Sequence, residues 1–215
     1  MAKEKEQIDK LKFEREEESK GHFLIAGVDE VGRGPLAGPV CVACVMMPLD
    51  DIIEGIDDSK KISEKKRNLL AEQIKEKAIC YVVEMIDEET IDRINILNAS
   101  MLAMKIAFEV LMEKFPEWKN KNNIQDFVLK GITDGTKCPE VFIECRAEPK
   151  ADANYPQVMA ASILAKTCRD KIMVEMDKKY PQYGYAKHKG YPTRDHVQIC
   201  REIGPSPIQR MSFKY

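Results

Sequence analysis

Asp29 and Glu30 are adjacent carboxylates that follow the apolar run Phe23-Leu24-Ile25-Ala26, with Gly32-Arg33-Gly34 just beyond them. The apolar run reads as a buried strand, Phe23 to Val28. Charged oxygens at the end of such a strand are costly to desolvate. A hard divalent cation, which takes oxygen ligands, would offset that cost. Gly-Arg-Gly offers bare backbone and one guanidinium, which suits close approach to a phosphate. The pattern points to metal-dependent chemistry on a phosphate ester.

Cleavage of a phosphodiester by this route uses two cations roughly 3.5–4 Å apart, held by carboxylates from separate elements. Asp134 precedes Gly135 at the end of a predicted strand, and Asp152 lies in Lys150-Ala151-Asp152-Ala153 ahead of a helix. Strand ends and helix approaches are where sites of α/β sheets gather. Side chains of adjacent residues on an extended segment tend to diverge, and a bulge or turn there would let Asp29 and Glu30 reach one site. The chain has 36 acidic residues, and spacing alone leaves Asp134 equally readable as a turn residue and Asp152 as a helix cap. The Asp-Glu pair stands out unaided.

The elements that would position these groups can be read from periodicity. Val40 to Met47 forms a second strand after the Gly/Pro-rich turn Gly32 to Pro39. Ser63 is a predicted N-cap for a helix over Lys65 to Ala78, with Leu69, Leu70 and Ile74 on one face. Ile79 to Ile86 reads as a third strand, and the first three strands are close enough to run antiparallel. One helical stripe follows from Ile94 through Leu97, Met101, Met104, Phe108 and Leu111 to Phe115, ended by Pro116. Lys119 to Asn123 reads as a polar loop. Strands are predicted over Phe127 to Ile132 and Val141 to Cys145. A long helix runs from Gln157 to about Lys179, where Ala160, Ala161, Ser162 and Ala165 allow close packing, and a last helix runs from Thr193 to Glu202. The fold class is α/β, a mixed sheet flanked by helices.

The chain has 215 residues, a net charge of −2 and 44% hydrophobic residues. It does not grip nucleic acid by bulk charge, but phosphate contacts are made group by group. Residues 1–20 form a charged extension, and 21–215 read as one domain. The N-terminus lacks a signal-peptide core and no run is long enough to span a membrane, so a cytoplasmic protein with no membrane partner is expected. The seven cysteines are odd and scattered, as expected of reduced thiols. Cys41 and Cys44 make a CxxC, but on a strand they face opposite sides, and no second pair or histidine ligand follows. His22, His188 and His196 show no metal-ligand spacing. Tyr183, Tyr185 and Tyr191 interleave with Lys187, His188 and Lys189, which suits either nucleic-acid contact or a packed tyrosine corner.

The run from Gly27 to Val40, Gly-Val-Asp-Glu-Val-Gly-Arg-Gly-Pro-Leu-Ala-Gly-Pro-Val, resembles the opening motif of type 2 ribonuclease H, specifically bacterial ribonuclease HII. The likeness continues through Asp58-Ser59-Lys60-Lys61 and Ile91 to Leu97. It extends over Ala160 to Lys166 with Arg169-Asp170, and over Tyr183 to Tyr185, His188 to Thr193 and Ser212-Phe213. The resemblance implies an RNase H-like mixed sheet with a C-terminal helical region. It implies an endonuclease that cuts RNA in RNA–DNA hybrids and incises 5′ to ribonucleotides embedded in duplex DNA. Cleavage would use two metal ions, Mg²⁺ or Mn²⁺, and leave 3′-hydroxyl and 5′-phosphate ends.

The family's metal-binding, catalytic acids map onto Asp29, Glu30, Asp134 and Asp152, with Asp126 as the alternative register for Asp134. Gly32, Arg33 and Gly34 map onto the segment that meets the 2′-hydroxyl and its phosphate. Tyr191 maps onto the ribonucleotide-sensing tyrosine, and Lys60 and Lys189 are further substrate-binding positions. Asp170 is either a salt-bridged helix residue or support for the acids. Ala151 stands where glycine is usual, and Gln209 where a histidine is common. A monomer acting on hybrid or ribonucleotide-containing duplex is expected. A non-catalytic nucleic-acid-binding protein of the same fold and a different metal-dependent phosphotransferase are the competing readings.

Overall fold

The computed structural model of the chain describes residues 23–48, 53–57, 59–121 and 128–214. The charged extension 1–20, His22, Asp58, Asp126 and Phe127 lie outside the described residues. Five strands form one mixed sheet: β1 Phe23–Val31, β2 Val40–Met46, β3 Cys80–Ile86, β4 Val128–Asp134 and β5 Glu144–Glu148. Their spatial order is β3-β2-β1-β4-β5. As expected, the first three run antiparallel, whereas β4 lies parallel to β1 and β5 parallel to β4.

Seven α-helices are described: α1 Glu64–Lys77, α2 Glu88–Ile94, α3 Ile96–Lys121, α4 Ala151–Asn154, α5 Pro156–Lys179, α6 Tyr185–His188 and α7 Arg194–Ile203. Both sheet faces are covered. On one, Leu24, Ala26 and Val28 of β1 and Val42 and Cys44 of β2 pack on Met104, Phe108 and Leu111 of α3. On the other, Val31, Ala43 and Val45 pack on α1 and on Met159 to Ala165 of α5. The two-residue period of a strand divides these sets. It also sends Cys44 into the α3-side core and Cys41 toward Cys168 of α5, the opposite facing expected of the CxxC. All seven cysteines are free.

Several boundaries differ from expectation for identifiable reasons. Leu69 is 62% exposed, so the buried face of α1 is Leu70, Ala71 and Ile74. The stripe from Ile94 to Phe115 is two helices bent by 117° at Asn95. Asn95 adopts φ 64°, and its side chain accepts from the amide of Asn98, starting α3 afresh. Pro116 does not end α3, which continues to Lys121. Proline removes only its own N–H, here close to the end of a long helix and exposed to water. The polar loop expected over 119–123 is therefore helical as far as 121.

β5 starts at Glu144 rather than Val141, because Lys130 to Asp134 pair with Glu144 to Glu148 in parallel register. Val141 and Ile143 pack instead against the α3-side core.

Candidate active site

β1 runs through Asp29 and Glu30, so both lie on the strand rather than beyond it. The ladder pairs them in succession with Ala43 and Val42, without a bulge. Their side chains therefore diverge. Asp29 shares the parity of Val31 and points to the α5 side, whereas Glu30 shares that of Val28. Parallel β4 supplies the next acid. Val28 pairs with Thr133, so Asp134 stands one step further, level with Asp29 and on the same face. Asp152 reaches this face from α4, next to Ala151, which is buried against Ile25 and Ile132. The carboxyl ends of two adjacent parallel strands and a helix start thus bring three acids to one side of the sheet.

The electrostatics match this gathering. Burial pushes the Asp29 carboxyl well above the usual range, and repulsion from Glu30, Asp134 and Asp152 raises it further. Burial likewise raises Glu30 and Asp134, the latter also through Asp152. Polar neighbours hold the acids in place. Asp134 Oδ1 accepts from the Ala151 amide at 2.9 Å, so the residue at the unusual alanine position meets the acid through its backbone. Lys60 Nζ lies 3.3 Å from Asp152 Oδ2, and Arg33 Nη1 lies 3.2 Å from Glu30 Oε1. Glu30 Oε2 is buried without a hydrogen-bond partner among the described residues.

Ser162 hydrogen-bonds Asp29 and favours its ionised form, which can only accept, so to the carboxylate the Ser162 hydroxyl donates. Ser59 must then donate to Ser162, across 2.8 Å. Sequence reading treats Ser162 only as a small packing residue, yet it orients the central acid.

Among the described residues, no three acid, histidine or cysteine side chains are gathered closely enough to enclose an ion as they stand. Four carboxylates that repel one another, two of them engaged by Arg33 and Lys60, give a physical reason for that spread. The all-oxygen donor set and the orphaned Glu30 oxygen fit a hard divalent cation. Asp170 resolves as a salt-bridged residue: it pairs with Lys166 at 2.7 Å and with Arg67 at 3.4 Å. Arg67 in turn donates to the carbonyls of Ser59 and Ile62, fixing the loop that carries Lys60.

Beside the acids, the turn from Gly32 to Pro39 wraps around two buried arginines. Arg210 donates to the carbonyls of Gly32, Arg33, Pro35 and Gly38 at 2.7–3.3 Å. Arg169 donates to Ala37, Pro39 and Lys189 at 2.9–3.1 Å. Gly32 needs φ 104° and leaves no space for a Cβ, which would lie 2.3 Å from Arg169 Nε. Burial, then the charge of Arg169, lowers Arg210 to about 9, which still leaves it protonated at neutral pH. Arg210 was not singled out by any motif, and nothing in its spacing marks it.

Tyr191 lies across from this turn. A Cβ on Gly34 would sit 3.7 Å from Tyr191 Cε1, and the ring is 39% exposed. Tyr183 and Tyr185 are buried and stacked, so two of the three interleaved tyrosines form the packed corner and only Tyr191 faces outward. His188 and His196 stack at 4.4 Å beneath this segment and bond its backbone. Lys189 turns its ammonium back to the Ala186 carbonyl and gives its own carbonyl to Arg169. Gln209 pairs with Ala37 of the turn in an isolated antiparallel bridge.

A five-stranded mixed sheet with carboxylates at the ends of its central parallel strands, backed by a helical C-terminal region, defines an RNase H-like, metal-dependent nuclease. The sequence profile of the family Ribonuclease HII matches residues 26–215, and the chain belongs to that family. It is 45% identical over 201 residues to Ribonuclease HII of Acetivibrio thermocellus, covering 94% of this chain and 73% of that one. It is 44% identical over 214 residues to Ribonuclease HII of Vibrio parahaemolyticus, covering 100% of this chain and 95% of that one. The crystal structure of ribonuclease H2 from Pyrococcus horikoshii superposes with a TM-score of 0.65 at 25% identity, over 89% of this chain and 94% of that one. The chain is accordingly a metal-dependent endonuclease with ribonuclease H activity.

Proposed function

We propose that this ribonuclease H cuts the RNA strand of RNA–DNA hybrids and incises 5′ to ribonucleotides embedded in duplex DNA. One juxtaposition carries the reading: three carboxylates share a sheet face beside a glycine turn whose Gly34 meets the exposed Tyr191 ring. Bound Mg²⁺ or Mn²⁺ ions would supply activation of a water and stabilisation of the leaving oxygen.

The chain's own residues do the rest. Asp29, Asp134 and Asp152 present oxygen donors from three elements, and Glu30 completes the set on leaving Arg33. Lys60 neutralises Asp152 and, with its side chain 72% exposed, is placed to meet a phosphate. Water adds its oxygen to phosphorus while the bond to the 3′-oxygen breaks, leaving 3′-hydroxyl and 5′-phosphate ends. The 2′-hydroxyl is what separates RNA from DNA at one position. The backbone of Gly32 to Gly34 would hold it, while Tyr191 stacks on the adjacent sugar. A cytoplasmic monomer suffices for this chemistry.

The test compares an all-DNA duplex, a hybrid and a duplex with one ribonucleotide, each with Mg²⁺ or Mn²⁺. Cleavage is expected only where a 2′-hydroxyl is present; equal cleavage of the all-DNA duplex refutes the reading. Asp29→Asn and Asp134→Asn should each lower incision by more than about 100-fold, beyond what loss of a ligand's supporting partner costs. Tyr191→Ala should weaken incision at single ribonucleotides more than on long hybrids, and an equal loss on both would remove its sensing role.

A further inference from the structure

We infer that Arg210 and Arg169 are positioning residues for ribonucleotide recognition, holding the Gly32–Pro39 turn with its carbonyls inward and the amides of Arg33 and Gly34 outward. The inference rests on the proposed reading of the 2′-hydroxyl by this turn.

In a trans peptide unit the C=O and the following N–H point in opposite directions. Arg210 binds the carbonyls of Gly32 and Arg33, so the next amides, those of Arg33 and Gly34, must point away from it. Both residues are exposed. The following amides are spent elsewhere: Leu36 N–H donates to Gly190 and Gly38 N–H to Ile208, each at 2.8 Å. Two adjacent outward amides beside three carboxylates are donors with no backbone partner among the described residues.

Arg169 adds the second coordinate. It bonds Ala37 and Pro39 in the turn and, through Nη1, the carbonyl of Lys189, two residues before Tyr191. Its guanidinium also lies 5.9 Å from the centre of the Tyr191 ring. Arg169 thereby sets the separation between the amides and the ring. Arginine suits this work because its planar fork reaches several carbonyls at once, which a lysine ammonium cannot copy. Such groups touch neither the scissile bond nor the ion donors, so their effect is on selectivity.

Amide exchange followed by NMR on the whole chain, in EDTA, tests the geometry without a variant. The Leu36 and Gly38 amides should be protected in the free protein, and those of Arg33 and Gly34 should exchange readily. A duplex with one ribonucleotide should then protect Arg33 and Gly34, and an all-DNA duplex should not. Protection of Arg33 and Gly34 already in the free protein overturns the clamp. Equal protection by both duplexes overturns the reading on which it rests.

The second experiment measures affinity for the two duplexes in EDTA. In Arg210→Lys the preference for the ribonucleotide should fall by about tenfold or more, as expected when hydrogen bonds to a charged group are lost. An unchanged preference in a folded variant overturns the assignment. Arg169→Lys serves as the companion variant, and the exchange experiment decides should neither fold.

Discussion

At the residue scale, the site concentrates unfavourable charge. Asp29 is 4% exposed and is repelled by three other carboxylates. The Ser162 hydroxyl and the Glu30 amide, which donates to Asp29 Oδ1 at 2.7 Å, relieve it in part. A buried charge held for function costs stability that its neutral isostere would recover. Asp29→Asn is therefore expected to raise the melting temperature in EDTA by a few degrees, corresponding to about 1 kcal/mol, while abolishing cleavage. Calorimetry checks this, and an unchanged or lowered melting temperature would show that the carboxylate is not electrostatically strained. Glu30 differs in kind, because the strand's alternation turns it away from Asp29 and Arg33 engages one of its oxygens, although the charges of Asp29 and Asp134 still reach it.

At the element scale, the approach of α5 to β1 is what places Ser162 over Asp29, and α4, which leads directly into α5, brings Asp152. Gly27 permits it: a Cβ there would lie 2.4 Å from the Gln157 carbonyl carbon and 2.5 Å from the Val158 nitrogen. Both are backbone atoms, so no side-chain rotation can relieve the clash. Gly27→Ala should cost about 3 kcal/mol, the upper end for overpacking, and should depress activity beyond the stability loss. Urea unfolding together with kinetics at low temperature measures both. A stability change below about 0.5 kcal/mol would mean that α5 can shift without consequence.

At the scale of the whole molecule, pH acts through two opposed sets of groups. Burial lowers His188 and His196 from the usual histidine value. Both are bonded to the chain around Tyr183 and Tyr191; Asp177, Asp195 and Lys187 act through space on His188, and His188 acts on His196. A depressed folded value means the unfolded chain binds the proton first. Their contribution is thus fully present above about pH 6.5 and is lost as pH falls through the folded values. Asp29, Glu30 and Asp134, all raised, act in the opposite sense, since the cost of burying their charge, and then their mutual repulsion, is relieved as they protonate. Subtracting the two isolates the histidines: between pH 7.5 and 5 the urea midpoint of wild type should fall more than that of His196→Gln. Parallel curves would show that the stacked pair does not titrate with unfolding.

Much of the fold was legible because local rules decided it. The apolar runs of β1 and β2, the Ser63 cap and the last two long helices are set by neighbours in sequence, and all appear in the structure. Where boundaries moved, long-range pairing was the reason: β5 takes its register from β4, and Asn95 breaks a stripe that periodicity alone reads as continuous. The sequence by itself determined the family and the residue types available for chemistry, since both lie in short contiguous motifs. Only the tertiary structure decided which of them meet. Strand register put Asp134 level with Asp29 and turned Glu30 toward Arg33, with both other acids still acting on it through space. The two arginines that shape the Gly32–Pro39 turn come from positions 136 and 177 residues beyond Arg33. Periodicity and spacing describe neighbours along the chain, whereas a carbonyl-binding guanidinium is chosen by neighbours in space.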